Sequence, residues 1–178
     1  MDNFYEFTQF FFNFKNIFYI DKESLKKKID SINIIEQFEI FKNYPSTLKI
    51  FIEKTKILAK TKRNGFDYLV GSNGKLIENK DFILELPFIF GDLDISEFLK
   101  LKKKIDNSLF EFSEISNLYL YKSNRWDIET RNGNLIKLPK NNIKEILNLY
   151  VRMSNEKKIN EKTIIDFRQK NQIILNEK

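Results

Sequence analysis

Apolar residues recur along this chain at two different periods. Phe4, Phe7, Phe11 and Phe14 stand three and four apart, the spacing of one helix face over residues 4 to about 15. Asp21 can cap a second helix in which Leu25, Ile29 and Ile32 share a side. From Ile34 the pattern alternates: IIEQFEIFKNY, the step Pro45-Ser46, then TLKIFIEK, where Leu48, Ile50 and Ile52 oppose Thr47, Lys49 and Phe51. Alternation of this kind predicts two strands of a hairpin. The first third therefore reads helix, helix, strand, strand.

A second unit follows. GFDYLV and KLIE flank the tight turn Gly71-Ser72-Asn73-Gly74, and LELPFIFGD reads as extended chain and loop. Ser96 opens a helix carrying Phe98, Leu99, Leu101 and Ile105, and FSEISNLYLYKS supplies a long strand. In SNRWDIETRNGNLIKLP, two alternating runs surround Arg131-Asn132-Gly133-Asn134. An Asn-Gly step tolerates positive φ at both central positions, so this is the strongest hairpin signal in the chain. Asn141 or Asn142 caps a helix with Ile143, Ile146, Leu147 and Tyr150. KTIIDFRQKNQIIL predicts one closing strand: Ile165, Phe167, Ile173 and Leu175 share a parity, which Gln169 and Asn171 interrupt. No repeat or flexible linker separates the parts. The pattern predicts an α+β chain of two abutting units, with the boundary around Lys56 to Lys60.

Composition narrows the function classes. Hydrophobic residues make up 42%, including 18 Phe, which is ample for a core. The net charge of +6 permits nucleic acid or an anionic membrane as partner. However, the lysines are dispersed apart from Lys26-Lys27-Lys28 and Lys102-Lys103-Lys104, and both triplets fall in helical spacing, where a solvated face is the simpler reading. No run approaches the roughly 20 apolar residues of a membrane helix. FTQFFFNFKNIFYI is broken by Asn13, Lys15 and Asn16 and has no small-residue cleavage site, so a soluble chain without signal peptide is expected.

Catalytic chemistry finds few footholds. His and Cys are both absent, which removes the usual general base, thiolate nucleophile and zinc ligands. GSNGK has neither the glycine spacing of a phosphate loop nor Ser/Thr after its lysine. Asp92 and Asp94 in GDLD are either a carboxylate pair for glycoside chemistry or an acidic loop capping the next helix, and the second fits the position better. A protein that is not an enzyme and needs no cofactor or metal is expected.

The ordered elements resemble a known family. NIFYIDKESLKKKIDSINIIEQFEIFKNYPSTLKIFIEK is similar to the second half of a POTRA domain as found in the bacterial cell-division family FtsQ (DivIB in Gram-positive bacteria). The matching steps are Tyr19-Ile20-Asp21 before a helix, Tyr44-Pro45-Ser46-Thr47-Leu48, and a strand ending in Glu53. DYLVGSNGKLIE stands where that family has a hairpin, and LPFIFGD where it has a Leu-Pro loop. Arg125-Trp126 with the later Leu-Pro, and Asp166-Phe167-Arg168, match its Arg-Trp hairpin and Asp-Leu-Arg strand. No single motif is specific; the ordered set is. Thr55-Lys56-Ile57-Leu58-Ala59 departs from the Pro and Ala usual at the junction, and Phe167 replaces Leu. The family's membrane helix and first POTRA strand have no visible counterpart.

The resemblance implies a POTRA-like unit over 1–56 with its first strand missing, then a mainly antiparallel β domain with flanking helices over 57–178. It implies a divisome scaffold on the periplasmic side of the inner membrane. FtsB- and FtsL-like partners would bind the C-terminal domain, and FtsK-like proteins the POTRA side. A terminal strand at a sheet edge offers unpaired N–H and C=O groups to an extended partner segment. The docking edge is expected at Arg168, Gln169, Lys170, Asn171, Gln172 and Ile173, with Arg125 beside it facing an acidic partner residue. Trp126, one step from Arg125 along a strand, is expected in the core. Two rivals remain: an ordinary closing strand, with Lys170 a guard against aggregation, and a basic nucleic-acid-binding module. A POTRA protein of outer-membrane assembly is a further alternative.

Overall fold

The structure, a computed structural model, describes residues 7–13, 20–79, 85–170 and 172–177. The chain forms two compact units: residues 1–57 with Val70–Ile77, and Leu58–Leu69 with Glu78–Lys178. The tip of one hairpin thus groups with the first unit.

In the first unit, strand β1 (Phe7–Asn13), helix α1 (Lys22–Asp30), β2 (Ile35–Asn43) and β3 (Thr47–Lys54) follow in order. The strands form an antiparallel sheet in the order β1-β3-β2, with Phe10 opposite Ile50 and Ile50 opposite Ile40. Helix α1 begins where expected, the Asp21 carboxylate accepting from the backbone N–H of Glu23 and Ser24. Ser31 caps its other end, so Ile32 falls beyond the helix and is exposed. The alternation in β3 buries Leu48 and Ile50, which meet Ile29, Ile35 and Ile40 in one core. Two expectations are corrected. The helical stripe over residues 4 to 15 is strand from Phe7 to Asn13, and the sheet therefore has the first strand that the sequence reading found missing. Six phenylalanines between residues 4 and 14 satisfy helical and strand periods alike, and Phe favours strands. Phe4, Phe14 and Tyr19 lie outside the described residues.

The second sheet has nine strands: β4 (Ile57–Arg63), β5 (Phe66–Gly71), β6 (Leu76–Glu78), β7 (Phe88–Phe90), β8 (Ile115–Leu120), β9 (Trp126–Thr130), β10 (Leu135–Lys137), β11 (Thr163–Asp166) and β12 (Ile174–Glu177). Their order is β12-β11-β10-β9-β8-β7-β4-β5-β6. β4–β7, β7–β8 and β10–β11 are parallel, and helices α2 (Ile95–Asp106) and α3 (Ile143–Asn155) make the last two crossovers. β8–β9, β9–β10 and β11–β12 are antiparallel. Mixed helices and strands make this an α+β fold, as the pattern predicted.

One row crosses the sheet from strand to strand: Ile89, Leu118, Ile128, Ile136 and Ile165, each at most 1% exposed. On the same side lie Phe98, Leu101 and Ile105 of α2 and Ile143, Leu147 and Tyr150 of α3. Strand β4 was missed because its buried positions hold Ala59 and Thr61, which break the apolar rhythm; Thr61 donates its hydroxyl to the Ile89 carbonyl at 3.2 Å. The long strand expected from Phe112 starts only at Ile115, after a 3-10 turn. Asp94 caps α2, accepting from the Ser96 hydroxyl and the Ser96 N–H, each at 2.8 Å, and those bonds hold its carboxyl below the usual range. That is the capping role. No described helix is long and apolar enough to cross a membrane.

Candidate partner-binding edge

The hairpin β9–β10 forms around Arg131-Asn132-Gly133-Asn134 as expected, but positive φ falls on Gly133 alone, at +86, and not on Asn132, so the loop is longer than a two-residue Asn-Gly turn. Strand alternation then separates Arg125 and Trp126. Trp126 is buried at 5% exposure, its ring 6.5 Å from that of Phe98. The sheet's other side carries a second cross-strand row: Tyr119, Asp127, Lys137, Asp166 and Ile174.

Two aspartates of this row hold the two arginines. Arg125 donates from Nε to Asp127 Oδ1 at 3.3 Å and lays its guanidinium 4.1 Å from the centre of the Tyr121 ring. Asp127 is fully buried, and among the described residues its Oδ2 has no hydrogen-bond partner. Burial raises its pKa, against the charge of Arg125. Asp166 accepts from Arg168 at both carboxylate oxygens, Nε reaching Oδ1 at 2.8 Å and Oδ2 at 3.0 Å. That pairing holds the Asp166 carboxyl below its usual range, opposed by burial. Asp127 and Asp166 stand in the same cross-strand row, so the two arginines they hold lie on one side of the sheet.

The predicted docking segment is placed differently. The described residues Arg168–Lys170 and Gln172–Ile173 are not in a strand: Phe167 leaves β11, and Arg168, Gln169 and Lys170 are exposed in the connection to β12, followed by exposed Gln172 and Ile173. Asn171 lies outside the described residues. The single closing strand of the sequence reading is thus a hairpin, β11 and β12. The physical reason is the polar run that begins Arg168-Gln169-Lys170, which has no apolar residue to bury and so stays in solvent. Among the described residues the sheet ends on β12, paired only to β11, with Ile174, Leu175, Asn176 and Glu177 all exposed. The run Ile173-Ile174-Leu175 was the available signal, since it resumes strand propensity after the polar break. At the connection that leaves β11 lies an open cavity of about 460 Å³ lined by Lys140, Asn142, Ile146, Phe167, Arg168 and Lys170 among others. Three cations stand around it. Among the described residues no cluster of three or more acidic residues could hold a metal ion.

Comparison with known proteins adds one assignment. Residues 59–168, more than half of the chain, match the family described as "Cell division protein FtsQ/DivIB, C-terminal". No curated protein sequence matches. Among solved structures, the major extracytoplasmic domain of the trans isomer of the bacterial cell division protein DivIB from Geobacillus stearothermophilus is similar over 61% of this chain and 99% of that one, at 11% identity and a TM-score of 0.42.

Proposed function

The chain belongs to the FtsQ/DivIB family of cell-division proteins, and from that premise we propose that it is a non-enzymatic scaffold that captures FtsB- and FtsL-like partners by adding a partner strand to β12. The observation that carries this reading is the position of β12 at the end of the sheet: four exposed residues with one side of the backbone unpaired. Isolated N–H and C=O groups along such an edge are met by water or by another chain, and an extended peptide satisfies them without reshaping the sheet.

Register assigns the side chains. Ile174 and Asn176 lie on the side that carries Asp166, and Leu175 on the side of Ile165. An added strand would set its own alternate residues against these two sets. Arg168 and Lys170, in the connection that leads into β12, offer positive charge near the edge, with Arg125 farther in at the start of β9, and favour a partner with acidic residues flanking its strand. Gln169, Asn171, Gln172 and Ile173 then form the rim of the docking surface, not its backbone ladder. The unit of residues 1–56, read as a POTRA domain, and the β domain over 57–178 divide the work: FtsK-like proteins on the first, FtsB and FtsL on the second. An inner-membrane location with the bulk of the chain in the periplasm follows from the same reading.

Capture of the chain by an immobilised FtsB-like C-terminal peptide tests this. Wild type is retained; Leu175→Pro and Asn176→Pro lose retention because one of them removes an outward N–H and either distorts the edge. Arg168→Glu weakens capture most at low salt. Retention of both proline variants at wild-type level would rule out strand addition at β12.

A further inference from the structure

Three Asn-Gly steps occur in the chain: Asn64-Gly65, Asn73-Gly74 and Asn132-Gly133. Chemically they are alike. A glycine nitrogen, unhindered by a neighbouring Cβ, can attack the side-chain carbonyl carbon of the asparagine before it, and asparagine is accordingly among the thermolabile residues. The fold makes them unlike.

At the second step both reacting groups are engaged. The Asn73 amide donates to the carbonyls of Asn33 and Ile35, each at 2.9 Å, and its oxygen accepts from the Lys75 N–H at 3.0 Å. The Gly74 N–H donates to the Gly71 carbonyl at 3.1 Å. At the third step Thr130 donates its hydroxyl to the Asn132 side chain, and the Gly133 N–H donates to the Thr130 carbonyl at 2.9 Å. The first step, the turn between β4 and β5, has none of this. Asn64 and Gly65 are exposed, and among the described residues neither the Asn64 side chain nor the Gly65 N–H makes a hydrogen bond. Nothing stands within 4 Å of where a Cβ on Gly65 would be.

We propose that Asn64 is a site of spontaneous covalent modification, converting to aspartate and isoaspartate while the other two asparagines are protected by the fold. The Gly65 nitrogen gives its proton to solvent base and forms a bond to Asn64 Cγ. The tetrahedral centre collapses with expulsion of ammonia and leaves a cyclic imide. Water then adds to one imide carbonyl. Breaking the new bond to Cγ yields aspartate; breaking the original peptide bond yields isoaspartate, whose chain runs through Cβ. Water is the sole co-reactant. The product places a carboxylate beside Lys62 and Arg63, and isoaspartate lengthens by one carbon a turn made of two residues. Isoaspartate at this exposed tip is a substrate for methyltransferases that esterify isoaspartyl carboxylates.

The full chain is incubated at mildly alkaline pH, folded and in urea, then followed by peptide mass mapping and by methyl transfer from such an enzyme. In the folded chain Asn64 converts severalfold faster than Asn73 and Asn132, at a rate rising with pH; in urea the three rates converge. Asn64→Gln removes the methyl label from the folded chain. Conversion of Asn73 or Asn132 as fast as Asn64 in the folded chain overturns the proposal, as does an intact Asn64 under conditions that convert it in urea.

Discussion

Asp127 and Asp166 sit two strands apart in one row and respond to pH with opposite signs. The folded pKa of Asp127 lies above its ordinary value of 3.8 because burial disfavours the charge. The folded protein therefore holds this proton more tightly than the unfolded chain, and stability falls as pH rises from about that ordinary value through the raised one. Asp166, held low by Arg168, contributes stability that is present above 3.8 and is lost as pH falls through its depressed value. Urea denaturation at a series of pH values separates them: Asp127→Asn flattens the curve above pH 3.8, and Asp166→Asn flattens it below. Arg168→Ala returns the Asp166 carboxyl towards its ordinary value, as read by carboxyl titration in NMR. A second residue-scale expectation concerns Gly91, at φ +110, where a Cβ would stand 2.2 Å from the Leu120 carbonyl oxygen. Neither the backbone nor a flexible side-chain end can yield there, so Gly91→Ala costs more than about 1 kcal/mol in denaturation midpoint.

Among the elements, those with a single dominant signal were legible. The β2–β3 and β9–β10 hairpins, α1 with its Asp21 cap and the helix now seen as α2 follow from alternation, turn chemistry and apolar spacing that agree with one another. Elements failed where signals conflicted or were silent. β1 was hidden by phenylalanine density, and β4 by its buried Ala59 and Thr61. The closing hairpin was read as one strand because Ile165 and Leu175 share a parity, which a hairpin with those residues opposite each other also satisfies. A terminal strand at the end of the chain was thus legible, and the described residues place it at Ile174–Glu177. Trp126 was legible as core from its step beyond Arg125. Its packing against Phe98 predicts that Trp126→Ala costs about 3–5 kcal/mol in urea denaturation. Arg125→Ala, on the opposite face, changes stability less and partner capture more.

At the scale of the whole chain, sequence order does not equal spatial grouping. A boundary near residue 57 is a reasonable cut in a linear pattern, yet Val70–Ile77 groups with residues 1–57. The reason is visible in hydrogen bonds that only the folded chain can make. Within this first unit Asn73 donates to the carbonyls of Asn33 and Ile35, Lys75 Nζ to the Asp30 carbonyl at 2.7 Å, and Ser72 Oγ to Glu36 at 2.8 Å. The Asn33 side chain returns a bond to the Leu76 carbonyl at 2.7 Å. These groups tie the hairpin tip to the segment between α1 and β2, satisfying carbonyls at Asp30, Asn33 and Ile35. GSNGK, which as a sequence suggests only a turn, is therefore a structural clasp. Asn73→Ala deprives two carbonyls of their donor at once and costs about 1–3 kcal/mol, since a part-buried acceptor left unpaired loses its desolvation without return. Hydrogen exchange locates the loss: amides of β2 and β3 exchange faster in the variant, while those of Ile128 and Ile136 keep their wild-type protection. Equal acceleration in both units would instead make the chain one cooperative body, and no change in β2 and β3 would reduce the clasp to an ordinary turn.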